Sequence, residues 1–191
     1  MHLLQFKTDK LTYVAYPKIG LDPGDGINGL IPDSKNVCYI SSPNSLARFD
    51  ASTGVTELLT NNLPSKDLLS IRNDPEDTTL LWIGTLSDGL IRFNKYTRET
   101  QLYSIATGLP NNTIYSIIPG RDHQLWCSSN RGIFAFNKTT GGIRSFTSRD
   151  GLIDDEFNRF YYMQLPDTSI AFGEVLWAIP YLNRNTEAGR I

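Results

Sequence analysis

The chain has 191 residues, with 18 basic and 20 acidic side chains and a formal net charge of −2. Neither sign forms a run, which argues against a nucleic-acid or membrane-surface partner, because both partners require a dense basic face. No apolar stretch approaches the length of about 20 residues that a membrane-spanning helix needs. We therefore expect one globular domain, or part of one, that does not insert into a membrane.

The sequence opens partway through a repeat. Leu3–Tyr16 reads as half a copy, and its charged side chains interrupt any apolar core of the kind a signal peptide requires. The next copy contains the segment Val37–Asp50. Phe49 in this segment lies 43 residues after Phe6 and 44 residues before Phe93, which indicates a constant period.

Two later copies repeat most clearly. Trp82 and Trp126 are 44 residues apart, and the Phe-Asn-Lys triplets that begin at Phe93 and Phe136 are 43 residues apart. One residue is therefore deleted between the two landmarks. Repeats of this length are found in solenoid and propeller architectures.

Each copy reads as four short strands separated by Gly, Asn and Asp turns. In the third copy the predicted strands are Thr113–Ile118, Gln124–Ser129, Gly132–Asn137 and Ile143–Ser148. Four strands in about 43–44 residues predict an all-β fold of β-propeller blades, each a four-stranded antiparallel sheet. The residues expected to define the blade structurally are Trp82, Trp126, Phe49, Phe93, Phe136, Gly89 and Gly132.

The length corresponds to roughly 4.4 repeats. The predicted limits are a partial blade over 1–19, blades over about 20–62, 63–107 and 108–150, and an incomplete last blade over 151–191. The favoured interpretation is a segment of a larger propeller. In the alternative, the strand near Lys10–Tyr16 completes the last blade and closes a four-bladed ring.

The repeated motifs resemble the two-component regulator propeller repeat. The segments that carry the resemblance are Gly108–Asn112, Leu81–Thr85, Gly89–Asn94, Leu125–Ser129, Gly132–Asn137, Gly151–Arg159 and Ala171–Gly173. The stretch Glu174–Pro180 departs from the pattern, which is why the last blade is expected to be incomplete.

The resemblance implies a non-catalytic module in the periplasmic sensor region of a two-component histidine kinase. It also implies an oligosaccharide ligand and further blades or domains of a parent sensor as partners, while no kinase motif is visible in this chain. Two other functions stay open: a protein-interaction or dimerisation scaffold that forms a homodimer, and a lyase or hydrolase built on the same fold.

The path of the chain through a blade assigns its loops to two faces. The connection into each blade and the loop between its second and third strands share one face, which collects amides, short acids and an arginine. The candidate ligand-binding residues are Asn111, Asn112, Asp88, Asn130, Arg131, Tyr115, Tyr161 and Arg159. Asn and Asp are also the residues that tight turns need, so each could serve structure alone. Packing between blades is the competing role for the tyrosines.

Other chemistry has weak support in the sequence. Asp150 and Asp154–Glu156 lack the order of a calcium loop, and no spacing of His or Cys indicates a metal or another cofactor. His123 is expected on the face opposite the amide-rich loops, away from a convergent catalytic cluster. Cys38 and Cys127 are expected to be free and buried, because they fall in two non-adjacent repeats.

Overall fold

The computed structural model describes the backbone of residues 2–7, 10–15, 26–167, 169–174 and 181–182. It describes side chains for residues 26–159, 161–167 and 169–173. The predicted blade limits that fall outside these ranges, and most of the segment Glu174–Pro180, are therefore not covered.

The described residues form strands and three single turns of 3-10 helix. The strands are β1 (His2–Lys7), β2 (Lys10–Ala15), β3 (Gly29–Ser34), β4 (Val37–Ser42), β5 (Ser45–Asp50), β6 (Val55–Leu58), β7 (Leu68–Asn73), β8 (Leu80–Thr85), β9 (Leu90–Asn94), β10 (Thr100–Tyr103), β11 (Ser116–Pro119), β12 (Gln124–Ser129), β13 (Gly132–Asn137), β14 (Ile143–Phe146), β15 (Phe157–Gln164), β16 (Ile170–Glu174) and β17 (Tyr181–Leu182). The 3-10 turns are Thr60–Asn62, Ile105–Thr107 and Ser148–Asp150.

Sequential antiparallel pairing groups these strands into separate sheets. The first blade is β3–β6, the second blade is β7–β10 and the third blade is β11–β14, each with four strands in chain order. The fourth sheet contains β15–β17, and β1 pairs with β2 in a hairpin. The opening strands β3, β7, β11 and β15 contact one another in succession, so they lie innermost. This arrangement confirms the predicted all-β fold of propeller blades.

The core lies between the blades rather than within them. One apolar cluster joins the first and second blades, a second cluster joins the second and third, and a third cluster joins the third blade to the fourth sheet. Trp82 is 1 % exposed and packs against Phe136 of the third blade, with 5.7 Å between ring centroids. Trp126 is half-buried and stacks on Phe146 at 5.6 Å, in the cluster that reaches the fourth sheet. The predicted role of both tryptophans between blades is confirmed.

The glycines and phenylalanines of the predicted signature have clear physical reasons. Gly89 and Gly132 have φ angles of 110° and 79°. A Cβ atom at either position would lie 2.0 Å from a carbonyl oxygen, that of Tyr103 in the second blade and that of Phe146 in the third. Only glycine allows this close approach of the fourth strand. The three signature phenylalanines are fully buried: Phe49, Phe93 and Phe136.

Two of the predicted strands in the third copy differ from the observed ones. β12 and β13 have the predicted bounds, but β11 begins at Ser116 rather than at Thr113. The reason is that Thr113 Oγ1 and the Ile114 amide donate to carbonyls of the second blade instead of joining the sheet. β14 ends at Phe146, because Thr147 caps the 3-10 turn that follows.

The closed four-bladed ring is not what the structure shows. Within the described backbone, β2 pairs with β1 alone and β17 pairs with β16 alone. Tyr16, the end of the predicted half copy, lies outside the described residues. The cysteines are free as predicted, but of the two only Cys127 is buried, whereas Cys38 is half-buried against the small apolar cluster of the first blade.

Candidate functional site

The amide-rich face is formed by the loops that lead into the blades and by the loops between second and third strands. Hydrogen bonds tie the two kinds of loop together. The Tyr115 hydroxyl donates to Asn130 Oδ1 at 2.8 Å, and Thr113 Oγ1 donates to the carbonyl oxygen of Leu86 at 2.7 Å. The Ser87 hydroxyl similarly donates to Asp67 at 3.1 Å. The predicted assignment of these loops to one face is therefore confirmed.

The amide oxygens on this face hold the loops in shape. Asn111 Oδ1 accepts the Thr113 amide at 2.7 Å, and Asn112 Oδ1 accepts the Ile105 amide at 2.8 Å. The Nδ2 groups of Asn111 and Asn112 donate to no other described residue. Each asparagine therefore combines a structural oxygen with a donor that is available to a ligand.

The remaining candidates are spread along the same face and the adjoining inner strand. Asp88 accepts a long hydrogen bond of 3.4 Å from Ser87, and the side chain of Arg131 is exposed. Arg159 is half-buried on β15. Tyr161 is 58 % exposed, whereas Tyr115 packs against the apolar cluster that joins the third blade to the fourth sheet.

The acidic residues near the fourth sheet serve turn geometry. Asp150 Oδ2 accepts the Thr147 amide and hydroxyl, and Asp155 Oδ1 accepts the Ser148 amide. Asp154 Oδ1 accepts the amides of the two residues that follow it. Over the described ranges, no group of three or more His, Cys, Asp or Glu side chains could hold a metal ion.

The opposite face contains a cleft that sequence reasoning did not find. This inter-blade cleft lies between the second and third blades and has a volume of about 560 Å³. Its lining residues are Asp74, Glu76, Asp77, Leu80, Trp82, Arg92, Gln101, Tyr103, His123, Lys138, Thr139, Thr140 and Gly141. A hairpin turn with positive φ at Asp122 and His123 places the His123 ring 2.6 Å from Glu76 Oε2. His123 thus lies opposite the amide-rich face, as predicted.

A buried carboxylate organises the inner wall of the inter-blade cleft. Asp74 is 3 % exposed; its Oδ2 accepts Trp82 Nε1–H at 2.8 Å, and its Oδ1 accepts Lys138 Nζ at 2.7 Å. The backbone amides of Glu76 and Asp77 also donate to Oδ1. Burial raises the pKa of Asp74, but hydrogen bonds from Lys138, Trp82 and the Glu76 amide outweigh it and hold the pKa below its ordinary value.

The same ion pair occurs one repeat earlier. Lys95 Nζ, from the second blade, pairs with Asp33 of the first blade and also donates to Asn73 Oδ1 at 3.1 Å. Lys95 and Lys138 are the last residues of the two Phe-Asn-Lys triplets. The signal that could have revealed this link is the recurrence of Lys after Phe-Asn together with an Asp at the end of the preceding blade's first strand.

Comparison with known proteins agrees with the arrangement of four-stranded blades. A family model described as "two component regulator propeller" matches residues 108–131, which include the amide-rich loop at Asn111 and the turn at Asn130. This match confirms the resemblance predicted from the motifs. The matched residues lie in the third blade and in the connection that leads into it.

A curated relative matches about a third of the chain, and two solved structures superimpose on nearly all of it. Histidine kinase P4 of Formosa agariphila is 30 % identical over 66 residues, which is 35 % of this chain and 5 % of that protein. The extracellular domain of the putative one component system BT4673 of B. thetaiotaomicron superimposes with a TM-score of 0.74 at 22 % identity, covering 97 % of this chain and 25 % of that one. The extracellular domain of the putative hybrid two component system BT3049 gives 0.66 at 16 % identity, covering 95 % and 31 %.

The two structural likenesses define the propeller fold, and the chain spans a third or less of each of these proteins. Both solved structures are described as extracellular domains. The part of this chain that the structure describes contains no helix with the length and apolarity needed to cross a bilayer.

Proposed function

We propose that this chain is a non-catalytic, ligand-binding propeller segment of a two-component sensor, located in the periplasm, and that its ligands are glycan fragments. The observation that carries the proposal is the two-component regulator propeller match over 108–131, whose loops meet on the amide-rich face. The similarity to extracellular domains of one- and two-component systems supports the same function.

The chemistry of the amide-rich face suits sugar hydroxyls. The Nδ2 groups of Asn111 and Asn112 and the exposed guanidinium of Arg131 offer donors on a rigid frame. Rigid presentation reduces the entropic cost of binding. The exposed ring of Tyr161 on β15 offers an apolar surface to a pyranose. A bound glycan changes the output of a sensor only if it binds two conformations of the sensor with different affinities.

The test is a binding screen of the 191-residue chain against oligosaccharides of defined composition, followed by Asn111→Asp and Asn112→Asp. An aspartate keeps the oxygen that accepts the loop amide but removes the Nδ2 donor. We expect about tenfold weaker binding with stability unchanged. Asn94→Asp is the matched control, because Asn94 also uses its oxygen for turn amides but lies on the opposite face. Absence of saturable binding to every oligosaccharide would refute the glycan ligand.

A second candidate function is a dimerisation or protein-interaction scaffold. It is favoured by exposed apolar side chains on β15, where Tyr161 and Met163 are 58 % and 61 % exposed. Sedimentation velocity over a range of concentrations distinguishes the two. A concentration-dependent homodimer that dissociates in Met163→Glu would support the scaffold, and a monomer at every concentration would exclude the homodimer.

A further inference from the structure

Matching positions in two neighbouring interfaces carry different residues. In the first blade, strand register aligns Tyr39 with Arg48 and Arg48 with Glu57. In the second blade, it aligns Trp82 with Arg92 and Arg92 with Gln101. Each blade thus has a cross-strand row of three aligned residues: Tyr39, Arg48 and Glu57 in the first blade, and Trp82, Arg92 and Gln101 in the second. The two rows occupy the same place on successive blades, and Tyr39 and Trp82 each pack against the next blade.

The first of these interfaces is filled by side chains of the protein. Arg98, in the last turn of the second blade, donates from Nη2 to Glu57 Oε1 at 2.7 Å and from Nη1 to the Lys95 carbonyl oxygen. Glu57 stands opposite Arg48 across the strand pair. The cross-strand row of the first blade therefore ends in the Glu57 carboxylate, which Arg98 binds.

The second interface lacks both of these elements. Gln101 replaces the carboxylate of Glu57 with a neutral amide, and Gly141 occupies the turn position that corresponds to Arg98. A Cβ atom at Gly141 would have nothing within 4 Å. The inter-blade cleft is therefore open where the first interface holds the Arg98–Glu57 pair.

The charges around the inter-blade cleft leave one cation and one carboxylate without a close ion-pair partner. Lys138 is bound to Asp74 and lies 3.0 Å from Glu76, which also pairs with His123. Asp77 Oδ1 accepts the amide and hydroxyl of Thr79. Arg92, which lines the cleft, makes no hydrogen bond or close ion pair to any other described residue, and Asp77 attracts it only at longer range.

We propose that the inter-blade cleft is a second ligand site, which binds the carboxylate of a small hydroxylated acid through Arg92 and Gln101. The ligand's carboxylate takes the place that Glu57 holds in the preceding interface. A guanidinium suits this task because its planar donors match a carboxylate. Tyr103 and Thr139 add hydroxyl groups to the lining, and a volume of about 560 Å³ accommodates a ligand of sugar-acid size.

This site goes beyond the proposed function, because it lies on the face opposite Asn111 and Asn112. The two proposals can therefore fail separately. The oligosaccharide screen with the Asn111 and Asn112 variants tests the amide-rich face alone, and the glucuronate titration tests the inter-blade cleft alone.

The test is a titration of the ¹⁵N-labelled 191-residue chain with D-glucuronate at neutral pH, with D-glucose as the matched neutral probe. The indole N–H of Trp82 reports on the cleft because it donates to Asp74, and that of Trp126 reports on the next interface. We expect a saturable shift of the Trp82 resonance with glucuronate, at least about tenfold weaker binding of glucose, and an unmoved Trp126 resonance.

Two variants test the chemistry. Arg92→Gln removes the cation, and Gln101→Glu supplies the internal carboxylate of the first blade. Each variant should weaken glucuronate binding about tenfold or more while keeping a dispersed spectrum. Arg48→Gln, in the first interface, is the control that should leave binding unchanged.

Two results would overturn the proposal. One is a Trp82 resonance that does not shift saturably with glucuronate in the folded parent chain. The other is equal affinity for glucuronate and glucose, or equal glucuronate affinity of the parent chain and Gln101→Glu. Either result would show that the protein does not recognise the carboxylate of the ligand.

Discussion

The first and second inter-blade interfaces follow one plan but are completed differently. Each has a buried lysine from the later blade paired with an aspartate at the end of the earlier blade's first strand: Lys95 with Asp33, and Lys138 with Asp74. In the first interface, the lysine also lies over the Tyr39 ring, 5.6 Å from its centroid. In the second, the aspartate also accepts the indole N–H of Trp82. The comparison shows that these two interfaces share the ion pair and differ in the side chains that surround it.

The third interface shows what happens when the aspartate is missing. Gly120 occupies the position that corresponds to Asp74, and a Cβ atom there would lie 3.0 Å from Cδ1 and Nε1 of Trp126. The Trp126 ring therefore covers backbone instead of donating to a carboxylate on that strand. Trp126 stacks instead on Phe146, with 5.6 Å between ring centroids.

The largest expected effect distinguishes the two aspartates. Asp74→Ala leaves Trp82 Nε1 and two backbone amides without an acceptor and removes one of the two acidic partners of Lys138. We therefore expect a loss of about 3–5 kcal/mol in the free energy of unfolding. Asp33→Ala should cost about 1–2 kcal/mol, because Lys95 keeps Asn73 and Tyr39. Urea denaturation of both variants measures the difference. Equal losses would show that the aromatic residue does not distinguish the interfaces.

The second effect concerns the close approach of strands within a blade. Ser45 in the first blade stands where Gly89 stands in the second. Gly89→Ser should cost about 3 kcal/mol, since its φ is 110° and a Cβ would meet the Tyr103 carbonyl at 2.0 Å. Ser45→Gly should cost about 0.5–1 kcal/mol through chain entropy alone. Thermal unfolding of the pair checks this, and a mild Gly89→Ser would mean that the second blade can adopt the loop of the first.

Local patterns predicted the strands well because they depend on nearby residues. Alternating apolar side chains and flanking turn residues gave β12 and β13 with their observed bounds. The inter-blade cleft was missed because Asp74 and Lys138 are 64 residues apart and meet only after two blades stack. The asparagines were predicted, but the sequence alone could not separate the amide oxygen, which caps a loop, from the amide nitrogen, which binds no other described residue.

The third effect is a dependence of stability on pH. Because the pKa of Asp74 is lower in the folded chain, its charge stabilises the fold above the ordinary carboxyl pKa of about 3.9, and this stabilisation is lost as the pH falls through the folded pKa. Protonation of Asp74 removes only its charge and keeps the side chain, so it should lower the free energy of unfolding by less than Asp74→Ala does. Asp74→Asn should have a flatter profile of unfolding free energy in acid than the parent chain. Parallel profiles would indicate that other carboxylates control acid unfolding.

The smallest effect concerns the pair that fills the first interface. The side chains of Arg98 and Glu57 are 26 % and 46 % exposed, so Glu57→Gln should change the free energy of unfolding by no more than about 0.5 kcal/mol. The second interface already contains the neutral equivalent, Gln101. Chemical denaturation at low and high salt measures the change. A loss above 1 kcal/mol that disappears in high salt would mean that charge, rather than packing by Arg98, closes the first interface, and that Gly141 alone would not account for the cleft.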